Sequence, residues 1–107
     1  MTRLERDFFL GFIKMHILHH TAKEKVYGTE FREELARHGY DISFGTLYPI
    51  FHRLERDGFL SSENVNIGGK IRRYYGITPK GGEILNLAKA RARELFMELF
   101  EEELNGK

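Results

Sequence analysis

Apolar residues occupy most positions between Phe8 and Leu18: Phe8, Phe9, Leu10, Phe12, Ile13, Met15, Ile17 and Leu18. The run predicts a helix over about residues 7–19, with a narrow polar strip at Asp7, Gly11 and Lys14 and an isolated His16 opposite. A helix that is apolar all round has to be covered all round. A chain of 107 residues can cover one side, so the other side predicts a partner chain. After "HHTAKEKVYG", read as a loop, Phe31, Leu35 and Ala36 mark the inner face of a second helix over about residues 29–38, with Gly39 as its stop. A third helix is written in "SFGTLYPIFHRLERDGFL". Phe44, Leu47, Ile50, Phe51 and Leu54 recur by threes and fours and form its inner face, leaving Thr46, Tyr48, His52, Arg53 and Arg56 outward. Ser43 can cap its start, and Asp57-Gly58 can end it. Pro49 lacks a backbone donor and costs about 3 kcal/mol in a helix interior, which predicts an irregular, exposed first turn.

Beyond Gly58 the period changes from helical to alternating. Residues 61–65 and 71–77 read as two strands, and Gly68-Gly69 between them is a hairpin turn. Thr78 can cap a final helix whose first position is Pro79, where the missing donor does no harm. Gly81 and Gly82 weaken its first turn by up to about 1 kcal/mol each. Leu85, Ala88, Ala92, Leu95 and Leu99 then form a seam widened by Ile84, Phe96 and Phe100. Continued to Leu104, this helix would be about 39 Å long at ~1.5 Å per residue, longer than so small a core can cover. The expected fold is mainly α with a small β-hairpin wing (α+β). Residues 1–78 would form a winged helix-turn-helix for DNA binding, and residues 79–107 a C-terminal dimerisation helix.

Composition narrows the function classes. The hydrophobic fraction is 41% and the charged fraction 31%, which suits one small core. The absence of cysteine excludes a disulfide framework, a thiolate metal cluster and a cysteine nucleophile, and fits a reducing compartment. No apolar run approaches the roughly 20 residues of a membrane span, and acidic residues interrupt "MTRLERDFFLGF", so a cytoplasmic protein without a signal peptide is expected. Net charge is only +1. The local signal is stronger: Lys70, Arg72 and Arg73 fall between Asn64 and Gly76 with no acid among them. His16 and His20 are four apart with His19 between, yet Ile17 and Leu18 beside them are core residues and no carboxylate is placed with them. No metal and no cofactor are therefore expected. Nor can a nucleophile triad, paired carboxylates or a phosphate-cradling glycine loop be assembled, which argues against an enzyme.

Two segments, "GTLYPIFHRLERDGFL" and "RRYYGITPKGGEIL", together resemble the PadR family of winged-helix transcriptional regulators. Members of that family share a Gly-Thr-Leu-Tyr-Pro start to the third helix and an Arg-x-Tyr-Tyr-x-x-Thr-x-x-Gly exit from the wing. The resemblance extends over almost the whole chain and points to the compact subgroup with a single C-terminal helix. It implies a homodimer, formed as the C-terminal helix packs on the first and last helices of its partner. Each third helix and wing would face one half of an inverted repeat in double-stranded DNA. It also implies a repressor released by a small molecule.

On this basis the DNA-binding candidates are Ser43, Thr46, Tyr48, Pro49, His52, Arg53, Lys70 and Arg72. A tyrosine hydroxyl can donate to a phosphate, a proline can touch a thymine methyl, and a helix start favours phosphate. Lys70 at the wing tip is the foremost phosphate contact; Arg73 can point to the opposite side, because strand residues alternate. The same alternation sends one of Tyr74 and Tyr75 into the core. The dimer candidates are Phe8, Phe12, Leu85, Ala88, Ala92, Leu95, Phe96, Leu99 and Phe100. The chain has no tryptophan to stack on a small aromatic effector; Phe8, Phe12, Met97 and Phe100 are the substitutes. The alternative function is a winged-helix protein–protein interaction module without DNA binding, separable by salt-dependent retention on heparin.

Overall fold

The computed structural model describes residues 1–106. Its elements run α1 (Arg3–Lys23), β1 (Val26–Tyr27), α2 (Gly28–Arg37), α3 (Phe44–Arg56), β2 (Leu60–Ile67), β3 (Lys70–Ile77), α4 (Pro79–Leu99) and α5 (Glu101–Leu104). The expected mainly helical fold with a small antiparallel sheet is what the chain adopts.

α1 is longer than its apolar run because both ends are fixed by polar groups. Thr2 accepts from the Glu5 amide while the Glu5 carboxylate accepts from the Thr2 amide, a reciprocal capping box. At the other end, the Thr21 hydroxyl is buried and donates to the Ile17 carbonyl at 2.7 Å. Ile13 and Ile17 are fully buried, and they meet Phe31 and Leu35 of α2, Leu47, Ile50 and Phe51 of α3, Leu60, Tyr75 and Leu85 in one core.

The segment read as a loop contains a strand. Val26 and Tyr27 pair antiparallel with Tyr75 and Tyr74, so β3 lies in the middle of a three-stranded sheet ordered β1-β3-β2. The wing itself runs in register from Leu60 opposite Ile77 to Ile67 opposite Lys70. Gly68 and Gly69 have φ of 58° and 87°, the paired positive values that a two-residue turn matched to strand twist demands. The Asn66 carboxamide oxygen accepts from the Gly69 amide and fixes the tip.

The exit from the wing is tied to the end of α3. The Thr78 amide donates to the Phe59 carbonyl, the Thr78 hydroxyl donates to the Gly58 carbonyl at 2.6 Å, and the same hydroxyl caps the Gly81 amide. Gly81 is required here by space: a Cβ would stand 2.1 Å from the Phe59 carbonyl oxygen. The weak first turn read from the glycines is thus the cost of bringing two backbones into contact.

The last helix departs from expectation. α4 ends at Leu99, the φ of −113° at its cap Phe100 breaks the run, and Glu101–Leu104 forms a separate short turn of helix. One uninterrupted helix would place Glu98, Glu101, Glu102 and Glu103 towards its negative C-terminal end. The break turns the last three into N-terminal residues of a new helix, where their charge is favoured. From Lys89 to Gly106 every residue is exposed. The radius of gyration is 15.8 Å, against about 13 Å for a compact chain of this length. No helix among the described residues is long and apolar enough to cross a membrane.

Candidate nucleic-acid interface

α3 starts as its sequence dictates. The Ser43 hydroxyl accepts from the Thr46 amide and donates to the Thr46 hydroxyl. The turn before it is held by Arg32 of α2, whose guanidinium donates to the Ile42 carbonyl at 3.0 Å. Leu47, Ile50 and Phe51 are buried.

Pro49 does not break the helix. It lies beyond the first turn, and α3 runs continuously from Phe44 to Arg56. The residue one turn before it, whose carbonyl the proline ring crowds and leaves without a donor, is Gly45, exposed to solvent. Water can satisfy that carbonyl, so the expected irregular turn is unnecessary.

At 100° per residue the outermost stripe of α3 is Gly45, Pro49, His52 and Arg56, flanked by Tyr48 on one side and Arg53 on the other. All six are exposed. Phe44, assigned to the inner face, belongs to the outer flank. It is 39% exposed and stacks on Tyr48, which stacks on His52, giving a ladder of rings at i, i+4 spacing. Arg56 lies 3.6 Å from Asp57, whereas Arg53 makes no ion pair among the described residues.

The wing divides its cations between two faces. Lys70, Arg72 and Tyr74 share one face; Ile71, Arg73 and Tyr75 share the other. Tyr75 is the buried tyrosine, its ring 4.7 Å from that of Phe51. Its hydroxyl lacks a hydrogen-bond partner of good geometry, and burial pushes its pKa up, so the phenol stays neutral. Arg73 lines one small cavity with Tyr48, Phe44 and Tyr75. The neighbouring Tyr75 phenol reinforces its cationic form. Arg72 turns the other way, over the Tyr27 ring and 3.7 Å from Glu30 of α2. Of the two arginines, the structure therefore brings Arg73, and not Arg72, beside Tyr48 of α3. The signal was the alternation with Tyr75, which is undecided until one tyrosine is known to be core. Lys70 is exposed at the tip, between the exposed Ile67 and Ile71.

The remaining candidates fall in two groups. Phe8, Phe12, Leu95, Phe96, Leu99 and Phe100 are 42–62% exposed, and Ala92 is exposed with them. Leu85 is 8% exposed and belongs to the chain's own core. Ala88 is half-buried beside it. Phe12 lines a groove with Leu85 and Ala92, while Met97 lines a separate one with Leu104.

Comparison with known proteins agrees with this architecture. Residues 17–87 match the model of the transcriptional regulator PadR-like family. The chain is 45% identical over 94 residues to transcriptional regulator Rv3488 of Mycobacterium tuberculosis, covering 88% of each chain. A PadR family regulator from Eggerthella lenta superposes with a TM-score of 0.79 at 34% identity, covering 92% of this chain and 87% of that one. A PadR-like regulator from Bacillus cereus gives 0.78 at 28% identity, covering 94% of this chain and 99% of that one. With the two motifs standing at the start of α3 and at the exit of the wing, the chain belongs to the PadR-like family of transcriptional regulators, which are not enzymes.

Proposed function

We propose that the protein is a sequence-specific repressor that binds double-stranded DNA as a homodimer, each copy facing one half of an inverted repeat. The observation that carries this reading is the junction of Tyr48 on α3 with Arg73 on β3, which makes the outer face of the helix and one face of the wing a single surface. Gly45 and Pro49 keep the centre of that face low, so the helix can approach base edges closely. Tyr48 and His52 present flat polar rings beside it. Ser43, Thr46 and the free amides of the first turn suit a phosphate. Arg53, Arg73 and Lys70 supply the cations, and Arg72 orients the wing by its contacts to Tyr27 and Glu30.

Dimerisation follows from continuity. The stripe that begins with Leu85 against α1 continues as Ala92, Leu95, Phe96 and Leu99 with nothing over it, and Phe8 and Phe12 of α1 are bare as well. A second copy supplies an identical stripe. A flat aromatic effector would enter between the copies, where Phe8, Phe12, Met97 and Phe100 are pooled. In this reading residues 1–78 hold the DNA-binding unit and the rest of the chain the dimerisation arm.

Selection of bound duplexes from random DNA tests the proposal and should return an inverted repeat. Tyr48→Ala should then cost about 1–3 kcal/mol of affinity for the selected site, with an unchanged melting temperature. Retention on heparin that ignores salt, together with no enriched sequence, would leave a protein–protein interaction module instead.

A further inference from the structure

α1 does not end near His19 but continues to Lys23. His16 and His20 therefore stand one helical turn apart on the same face. Facing them is the last turn of α2, where Glu34 and His38 repeat the same i, i+4 spacing. The two pairs converge. One ligand-capable nitrogen from each of His16, His20 and His38 lies within 4.8 Å of the others. A carboxylate oxygen of Glu34 lies beside the group, 3.3 Å from His38 Nε2 and 4.0 Å from His20 Nε2. Ile17 and Leu18 are core residues as expected, but the other ground for setting a metal aside, that no carboxylate is placed with the histidines, fails in three dimensions.

We propose that His16, His20, His38 and Glu34 form a binding site for a borderline divalent cation such as Zn2+, joining α1 to the last turn of α2. Bonds of ~2.0–2.1 Å in tetrahedral geometry set ligand atoms about 3.3 Å apart, so side-chain adjustments of about an ångström close the set. Three imidazoles and a carboxylate, with no thiolate, suit Zn2+, Co2+, Ni2+ or Cu2+ rather than Mg2+ or Ca2+, which take oxygen ligands.

His16 and His20 both have lowered pKa values, first through burial and then through neighbouring imidazoles. The hydrogen bond from Arg37 holds the Glu34 carboxyl below its usual range, and it is made to the oxygen turned away from His38. That contact leaves the other oxygen for the metal and fixes its direction. Packing alone gives a weaker account of the cluster. Three imidazoles with ring centroids 4.8 to 6.1 Å apart, beside one carboxylate, repel each other whenever they gain protons.

The place of the site in the fold gives it a consequence. α2 leads into α3 through the turn that Arg32 holds, so an ion that pins the end of α2 to α1 sets the position of α3 against the core. That a bound ion alters DNA affinity rests on the DNA-binding reading; the existence of the site does not.

The test uses the full chain after treatment with EDTA. Titration with Co2+ should give the visible absorption of a low-coordinate nitrogen and oxygen site at one ion per chain, and Zn2+ should displace it. His16→Gln and His38→Gln should each weaken Zn2+ binding roughly tenfold or more. His19→Gln, next in sequence but outside the cluster, should leave it unchanged. Because His38 is exposed at a helix end, its replacement keeps the fold testable. No Co2+ spectrum, or affinity that survives both substitutions, overturns the site. The operator measurement then separates the two readings. Equal affinity with Zn2+ and with EDTA overturns the coupling alone, whereas no DNA binding in either condition overturns the DNA-binding reading and leaves the Co2+ result to decide the site.

Discussion

α1 and the outer half of α4 are both rich in large apolar residues, and their fates are opposite. Ile13 and Ile17 of α1 are 0% exposed, whereas Leu95 and Leu99 of α4 are 51% and 62% exposed. Propensity does not separate them, since both segments are helical. What separates them is reach. The sheet, α2 and α3 close around the inner face of α1, and only the first turns of α4, down to Leu85, extend into that core. A hydrophobic stripe specifies that a face will be covered; it does not specify by which chain. Leu85 and Leu99 lie on one stripe and differ only in distance along it.

Ile17→Ala should be the most damaging change among those that break this comparison. It opens a cavity in a fully closed core, and about 2–5 kcal/mol of stability should be lost in urea denaturation. Leu95→Asp with Leu99→Asp is the complementary change. It touches nothing in the chain's own core, so the circular dichroism spectrum should stay helical. Each leucine contributes roughly 1.5–3 kcal/mol when covered, so on the proposed dimer sedimentation should find the wild-type chain dimeric and the double variant monomeric. A double variant that remains dimeric would mean that the bare stripe is not the interface.

Gly81→Ala probes the boundary between the two regions. It adds only a methyl group, but at the point where the backbone of α4 meets the Phe59 carbonyl. Overpacking of about 1–3 kcal/mol is expected, and the angle at which the arm leaves the core should change with it. Gly82→Ala, one residue on with open space around it, should gain up to about 1 kcal/mol from helix propensity. Equal effects at the two positions would show that the close approach does not constrain α4.

Local signals were the ones legible in the sequence. As helix caps Ser43 and Thr78 reach only three positions along the chain, the Gly68-Gly69 turn is as local, and each is found doing what its type and position imply. Long-range pairings were not legible. β1 is two residues long, too short to show a period, and exists only because Val26 and Tyr27 meet β3. Phe44 obeys the inner-face spacing but sits at the first turn, beyond the edge of the core, so it turns out to stack on Tyr48. The histidine cluster needs α1 and α2 side by side; neither helix alone carries more than a pair. On α3 the outer stripe could be read from its period, whereas placing Arg73 rather than Arg72 beside Tyr48 required knowing that Tyr75 is the buried tyrosine.

The smallest effect belongs to the wing, and it sharpens the contrast between a surface that closes on protein and one left open for DNA. Lys70 is exposed at the tip and makes no ion pair among the described residues, while Arg72 is already committed to Tyr27 and Glu30. Lys70→Ala should therefore weaken binding to the selected operator and to random duplex by similar factors. It should also lower the slope of log affinity against log salt by about one, because a phosphate contact carries no sequence information. Arg73→Ala, beside Tyr48, should reduce affinity for the operator more than for random DNA. Arg72→Ala should leave the salt slope nearly unchanged and act through the seating of the wing on α2. If Arg72→Ala lowers the salt slope as much as Lys70→Ala does, its contacts to Tyr27 and Glu30 are given up on the duplex, and the division of the wing into two faces does not survive binding.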